Sequence, residues 1–135
     1  MKEKSMMEKR DIKTSKAPEP VGPYSQAVKT GDFIFCSGQI ALDPKTGELL
    51  SDSIEAETTL VMENLKAVLE AAGSSLERVV KTTIFVTDMN DFGSINAVYG
   101  SFFGGSIPPA RATVQVASLP KGARVEVECI ALSGG

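Results

Sequence analysis

The chain has 135 residues, a formal net charge of −3 and a sequence pI of about 5.0. A chain of this length forms one domain, and its acidic balance argues against broad electrostatic binding to nucleic acid or to an anionic membrane. Its apolar runs are shorter than the roughly 20 residues of a membrane-spanning helix. Residues 1–10 lack the apolar core of a secretory signal. We therefore expect no nucleic-acid partner and no membrane partner.

Histidine is missing from the sequence, which contains two cysteines. Ser-His-Asp and Cys-His catalysis are therefore excluded, as are zinc sites that use histidine. The sequence also lacks the glycine-rich patterns that bind nucleotide phosphates. We expect no metal and no cofactor. Cys36 and Cys129 lie in strand-like runs and are expected to be buried, reduced thiols, which is typical of a cytoplasmic protein.

The first half of the chain predicts a short extension, a hairpin and a helix. Residues 1–10 are polar and are expected to form a flexible N-terminal extension to a single domain at residues 11–135. Two strands joined at a glycine turn are predicted at 25–29 and 33–37. An apolar stripe at helical spacing follows, with Asp52 or Ser53 as its N-cap and Gly73 as its stop.

The second half predicts a strand at 79–86, a helix with its apolar face between Phe92 and Phe102, and two final strands. A loop at 119–122 separates these last strands. The predicted order is ββαβαββ. This order indicates an α+β fold in which both helices pack on one face of a mixed sheet.

Arg111 and Glu126 are the side chains best suited to chemistry. Arg111 follows a stiff Ile107-Pro108-Pro109 approach, and its planar guanidinium can hold a carboxylate through two hydrogen bonds. Glu126 lies in the next alternating strand, so a carboxylate that handles protons is expected near Arg111. One member of the Glu126-Glu128 pair is expected to have a raised pKa because the charges repel. A structural ion pair and a solvated face remain open as alternatives.

Short motifs extend in a fixed order along residues 12–132. They are Gly22-Pro23-Tyr24-Ser25-Gln26-Ala27, Ser37-Gly38-Gln39-Ile40, Val80-Lys81-Thr82-Thr83, Pro109-Ala110-Arg111 and Val125-Glu126-Val127-Glu128. In this order and spacing the chain resembles the Rid family of reactive intermediate deaminases, also called the YjgF or endoribonuclease L-PSP family. The resemblance implies a chorismate-mutase-like fold and a homotrimer with active sites in clefts between subunits.

The resemblance also implies an activity and residue roles. Relatives hydrolyse enamine/imine acids such as 2-iminobutanoate and 2-iminopropanoate to the 2-keto acid and ammonia. Arg111 would hold the substrate carboxylate, and Glu126 would activate the attacking water. The pocket would be formed by Tyr24, Ser37, Gly38, Asn96, Tyr99 and the main chain around Thr113. A regulatory trimer that binds small molecules without catalysis, and RNA cleavage or translation inhibition, are the alternative functions.

Overall fold

The computed structural model describes residues 8–134, which form one mixed sheet and two α-helices. The strands are β1 Arg10–Ile12, β2 Ala27–Thr30, β3 Phe33–Gln39, β4 Val79–Val86, β5 Ala110–Gln115 and β6 Val125–Leu132. The sheet order is β1-β2-β3-β6-β4-β5, with β4 and β5 parallel and the other neighbours antiparallel. The helices are α1 Ile54–Ala71 and α2 Phe92–Ser101.

The predicted α+β architecture is confirmed, with both helices on one face of the sheet. The structure adds β1 in front of the predicted ββαβαββ order. This edge strand has three residues, which is too short for an alternating pattern to be visible in the sequence. Of the predicted extension, residues 1–7 lie outside the described residues, and Arg10 begins β1.

The hydrophobic core lies between the sheet and the helices. Leu65 of α1, Ile84 of β4 and Val127 of β6 are fully buried there. Cys36 and Cys129 are directly opposed on β3 and β6, and both are buried free thiols, as predicted. Neither helix of the described chain has the length and apolarity needed to cross a membrane.

The ends of α1 are set by local chemistry. Ser53, rather than Asp52, is the N-cap, because its side chain accepts a hydrogen bond of 3.0 Å from the Ala56 N–H. Gly73 has a φ of +80° just after the helix, a backbone conformation that glycine adopts without strain. The predicted glycine stop is thus confirmed.

The two faces of the sheet differ because side chains alternate across each strand. The face opposite the helices, called here the outer face, carries Phe33, Phe35, Val114 and Leu132, each between 36% and 44% exposed. Clusters of partly exposed large apolar side chains are typical of protein–protein interfaces. The outer face is therefore a surface that a second chain would cover favourably.

Candidate active site

A cavity of about 440 Å³ lies beside β3 and β6. Its lining includes four of the residues that the sequence resemblance assigns to a pocket, Tyr24, Ser37, Gly38 and Glu126. A wider and more open groove of about 1220 Å³ adjoins it and shares Tyr24 with it. The smaller cavity is the better candidate because it contains the Glu126 carboxylate.

Gly38 makes room for the Glu126 carboxylate. The pairing of β3 with β6 shifts register between Cys36 and Gln39, which places an irregularity at Ser37 and Gly38. A Cβ atom added to Gly38 would overlap Oε2 of Glu126. The carboxylate therefore lies against the backbone of β3, where a residue larger than glycine would displace it. The sequence resemblance assigned Gly38 to the pocket but did not predict this contact.

The surroundings of Glu126 favour its neutral form. Burial of the carboxyl group raises its pKa above the ordinary value for glutamate, and the negative charge of Glu128 raises this pKa further. The predicted repulsion between the two carboxylates is thus present, although burial is the larger cause. A carboxylate whose pKa moves toward neutrality is a better proton acceptor for chemistry near pH 7.

Ser37 and Tyr24 occupy different parts of the cavity. The Ser37 hydroxyl donates a hydrogen bond of 2.6 Å to the Ser25 carbonyl, so it holds two strand ends together. Tyr24 is 50% exposed, and its phenol oxygen accepts a hydrogen bond of 3.4 Å from the Val21 N–H. Tyr24 therefore lies at the open side of the cavity, where it can contact an entering ligand.

Arg111 belongs to a second cluster, between β5 and α2. Its Nη1 donates a hydrogen bond of 2.6 Å to Oδ1 of Asn96. Its guanidinium carbon lies 5.5 Å from the ring centre of Phe92 and 5.1 Å from that of Tyr99, within the range of cation–π attraction. The guanidinium has five N–H donors, so the hydrogen bond to Asn96 orients the group and leaves donors for a planar anion.

The Arg111 cluster is built along one stripe of α2. Phe92, Asn96 and Tyr99 are spaced by four and three residues, which places them on one side of a helix. The Tyr99 hydroxyl also forms a hydrogen bond of 2.7 Å with Thr82, which fixes the ring under the guanidinium. The sequence placed Phe92 in the apolar face of this helix, and its contact with Arg111 was not predicted. The helical spacing of Phe92, Asn96 and Tyr99 was the sequence feature from which this cluster could have been predicted.

Thr113 lies two residues beyond Arg111 on the same face of β5. Its hydroxyl oxygen is buried and has no hydrogen-bond partner within residues 8–134. Buried polar atoms are nearly always hydrogen-bonded, so an unpaired hydroxyl on the same strand face as Arg111 favours a polar ligand near it. The sequence resemblance pointed to the main chain around Thr113, and this side-chain feature is additional.

Within one chain, the structure does not bring Arg111 and Glu126 together. Arg111 pairs in register with the buried Thr82, so it is on the helix-covered face. Glu126 pairs with Phe85 on the outer face, with its neighbours along β6 buried. One strand, β4, lies between the strands that carry them, so their backbones are about 10 Å apart across the sheet. The Glu126 carboxylate, which was expected near Arg111, is thus on a nearby strand, but its side chain points to the opposite face of the sheet.

Comparisons with known proteins identify the family. A family model described as "Endoribonuclease L-PSP" matches residues 14–133. The chain belongs to this family. It is the Rid or YjgF family that the sequence motifs resemble. The match covers both halves of the candidate site, so this Rid chain carries Tyr24, Arg111 and Glu126 inside the matched region.

Two curated relatives and one solved structure illustrate the similarity. RutC family protein PH0854 of Pyrococcus horikoshii is 53% identical over 123 residues, which cover 91% of this chain and 97% of that protein. The Mus musculus protein named 2-iminobutanoate/2-iminopropanoate deaminase is 50% identical over 123 residues, covering 91% and 90%. The crystal structure of YyfA from Yersinia pestis, described as a protein of unknown function of the conserved Rid family, gives a TM-score of 0.91 at 46% identity, covering 93% and 99%.

Replacing Glu126 with glutamine should stabilise the chain increasingly as pH rises. The folded-state pKa of Glu126 is raised above its unfolded value, so the folded chain binds more protons between these two values. Its stability contribution therefore falls as pH rises through that window. The melting temperature of Glu126→Gln, minus that of the wild type, should increase from about pH 4 to about pH 7. Glu63→Gln on the exposed face of α1 is the control, and an equal trend there would contradict the raised pKa of Glu126 as the cause.

Proposed function

We propose that this Rid protein hydrolyses reactive enamine/imine acids, such as 2-iminobutanoate and 2-iminopropanoate, to 2-keto acids and ammonia. The observation that carries the proposal is the presence of two complementary groups. One is the oriented Arg111 guanidinium, and the other is the half-buried Glu126 carboxylate with its raised pKa. The deaminase name of the mouse relative supports the same reaction.

The chemistry needs only positioning and proton transfer. The carbon of a protonated imine is already electrophilic, so water can attack it without a metal or a covalent enzyme intermediate. Arg111 holds the substrate carboxylate, and Glu126 accepts a proton from water as the C–O bond forms. The same carboxyl group then returns this proton to nitrogen. As the C–N bond breaks, the carboxylate takes the remaining hydroxyl proton so that the carbonyl forms, and the departing ammonia carries that proton away as ammonium.

The remaining residues prepare these two groups. Asn96 and Tyr99 hold the Arg111 fork in one orientation, which lowers the entropy cost of gripping a small anion. Gly38 lets the Glu126 carboxylate lie against the backbone of β3 at the cavity wall. The phenol of Tyr24 closes its open side over a bound substrate, while Ser37 keeps the strand end behind Gly38 in place.

We propose further that the chain forms a homotrimer whose active sites lie between subunits. Support comes from the placement of Arg111 and Glu126 on opposite faces of one sheet. A neighbouring subunit that covers the apolar outer face brings a second set of side chains toward Glu126. The number three comes from the family resemblance. In this arrangement Arg111 of one subunit and Glu126 of the next share a substrate.

The activity is tested by generating 2-iminopropanoate in solution with an amino-acid oxidase and trapping the remaining imine with semicarbazide. Wild-type protein should lower semicarbazone formation. Arg111→Lys keeps the charge but loses the planar fork, so KM should rise and kcat/KM should fall about tenfold or more. Glu126→Gln should keep KM and lower kcat by a factor of about 100 to 10,000.

Glu63→Gln, an exposed change on α1, is the matched control and should retain wild-type kinetics. Wild-type protein that leaves semicarbazone formation unchanged would contradict the deaminase proposal. Cleavage of single-stranded RNA by that same inactive preparation would establish the RNA alternative in its place. An Arg111→Lys variant with unaltered KM would remove the carboxylate-holding role.

The assembly is tested on the outer face. Phe35→Asp places a charge on a side chain that is 44% exposed in the single chain. Burying that charge between subunits is costly, so sedimentation should show monomers and the activity should fall with the loss of trimer. Lys66→Asp on the exposed side of α1 is the control and should leave both unchanged. A wild-type protein that sediments as a monomer would contradict the shared-site arrangement.

A further inference from the structure

Gln26 is a buried amide that holds the segment in front of the cavity. It lies immediately before β2 and is 3% exposed. Its Oε1 accepts a hydrogen bond of 2.8 Å from the Thr14 N–H. Its Nε2 donates to the carbonyl oxygens of Thr14 at 3.0 Å, Ala17 at 3.3 Å and Pro18 at 2.9 Å. One side chain therefore contacts four main-chain groups of residues 14–18.

The main chain of Gln26 reaches the opposite wall. Its carbonyl oxygen accepts a hydrogen bond of 3.0 Å from the Ser37 N–H, directly before the glycine that supports Glu126. Gln26 also lines the cavity itself, together with Pro18 and Tyr24. Gln26 is thus hydrogen-bonded both to the cavity wall formed by residues 14–18 and to the end of β3 that carries Gly38.

Residues 13–20 lie outside the helices and strands, so ladder hydrogen bonds do not fix their path. Ala17 is buried in the core and anchors this segment through apolar contacts, but apolar contacts have little directional preference. Directional hydrogen bonds to a buried amide define the path more narrowly, and a buried carbonyl left without a donor is costly. The position of Pro18 beside the cavity therefore depends on the Gln26 amide.

We propose that Gln26 is a positioning residue of the imine site, whose amide sets the width of the cavity between Pro18 and the Glu126 carboxylate. The inference rests on the proposed deaminase function. It goes beyond that function because Gln26 acts through the wall and does not take part in proton transfer. Loss of the amide should widen the cavity, weaken the hold on a small substrate and leave the proton-transfer step largely intact.

Gln26→Glu provides a test in which pH controls the charge of the substituted side chain. The variant has nearly the same shape, and one oxygen can still accept from the Thr14 N–H. Its second oxygen faces the three carbonyl oxygens that Nε2 serves in the wild type. When ionised it repels them, and when protonated it donates to one of them. The charged side chains that line the same cavity, in variant and wild type alike, are Glu19, Lys121, Glu126 and Glu128.

The measurements are kcat and KM for 2-iminopropanoate between about pH 5 and pH 8, expressed as ratios of variant to wild type. At the upper end, KM of Gln26→Glu should be raised about tenfold, with kcat within about threefold of the wild type. The KM defect should shrink as pH falls and the new carboxyl group becomes protonated. Gln26→Met, which is neutral and of similar length, should show a raised KM at every pH.

The rate of trypsin cleavage after Lys13 and Lys16 reports how firmly residues 14–18 are held, and this measurement does not depend on imine hydrolysis. Cleavage should be faster in Gln26→Glu, and the difference from the wild type should grow with pH. Thr58→Val is the matched control, because it removes a buried hydrogen bond of 2.7 Å to Ile54 on α1. It should lower the melting temperature while KM and cleavage after Lys16 remain as in the wild type.

Unchanged KM and cleavage in both Gln26 variants would overturn the positioning role. Gln26 variants whose melting temperature falls as much as that of Thr58→Val, while KM stays at the wild-type value, would overturn the positioning role as well. Failure of the deaminase proposal gives a different pattern, in which the wild type itself does not hydrolyse imines. Cleavage after Lys16 then decides alone whether Gln26 holds the segment of residues 14–18 in place. A ratio of the Gln26→Glu rate to the wild-type rate that does not change with pH would reject this role.

Discussion

The alternation of side chains across one sheet is the constraint on which the site depends. Successive strand residues point to opposite faces, and the helices cover only one of these faces. Arg111 falls on the covered side and Glu126 on the other. A substrate of a few atoms cannot contact both in one chain. The proposed reaction therefore requires a second copy, and the apolar outer face provides a surface for it.

Each half of the proposed site is prepared before substrate arrives. On one side, Gly38 allows the Glu126 carboxylate to be partly buried, and this burial makes it a stronger proton acceptor. On the other, Asn96 and two aromatic rings orient the Arg111 guanidinium. Preorganisation of this kind suits a reaction whose electrophile is already activated, because the protein mainly has to orient the substrate and move one proton.

Much of the fold could be predicted from the sequence, because it depends on local patterns. The stripe of α1, its glycine stop and the alternation along β6 are each visible within a few residues. Strand β1 could not be predicted, because three edge residues contain too little pattern. Ser53 rather than Asp52 caps α1 because its hydroxyl reaches the Ala56 N–H, a geometric choice that the sequence left open.

The site was predictable as a set of residue types and not as an arrangement. Arg111 and Glu126 were selected by the chemistry of their side chains and by the family motifs. Their opposite orientation depends on how β5 and β6 each pair with β4, which is a non-local property. The contact between Gly38 and Glu126 depends on a register shift in β3 for the same reason.

The central claim is that a working site takes Arg111 from one subunit and Glu126 from another. It is tested most directly by unfolding Arg111→Ala and Glu126→Gln together and refolding the mixture. Each variant alone should be inactive. In a random mixture, about one quarter of the boundaries pair an intact Arg111 with an intact Glu126, so about one quarter of refolded wild-type activity should return. A mixture that forms mixed trimers and remains inactive would contradict the account.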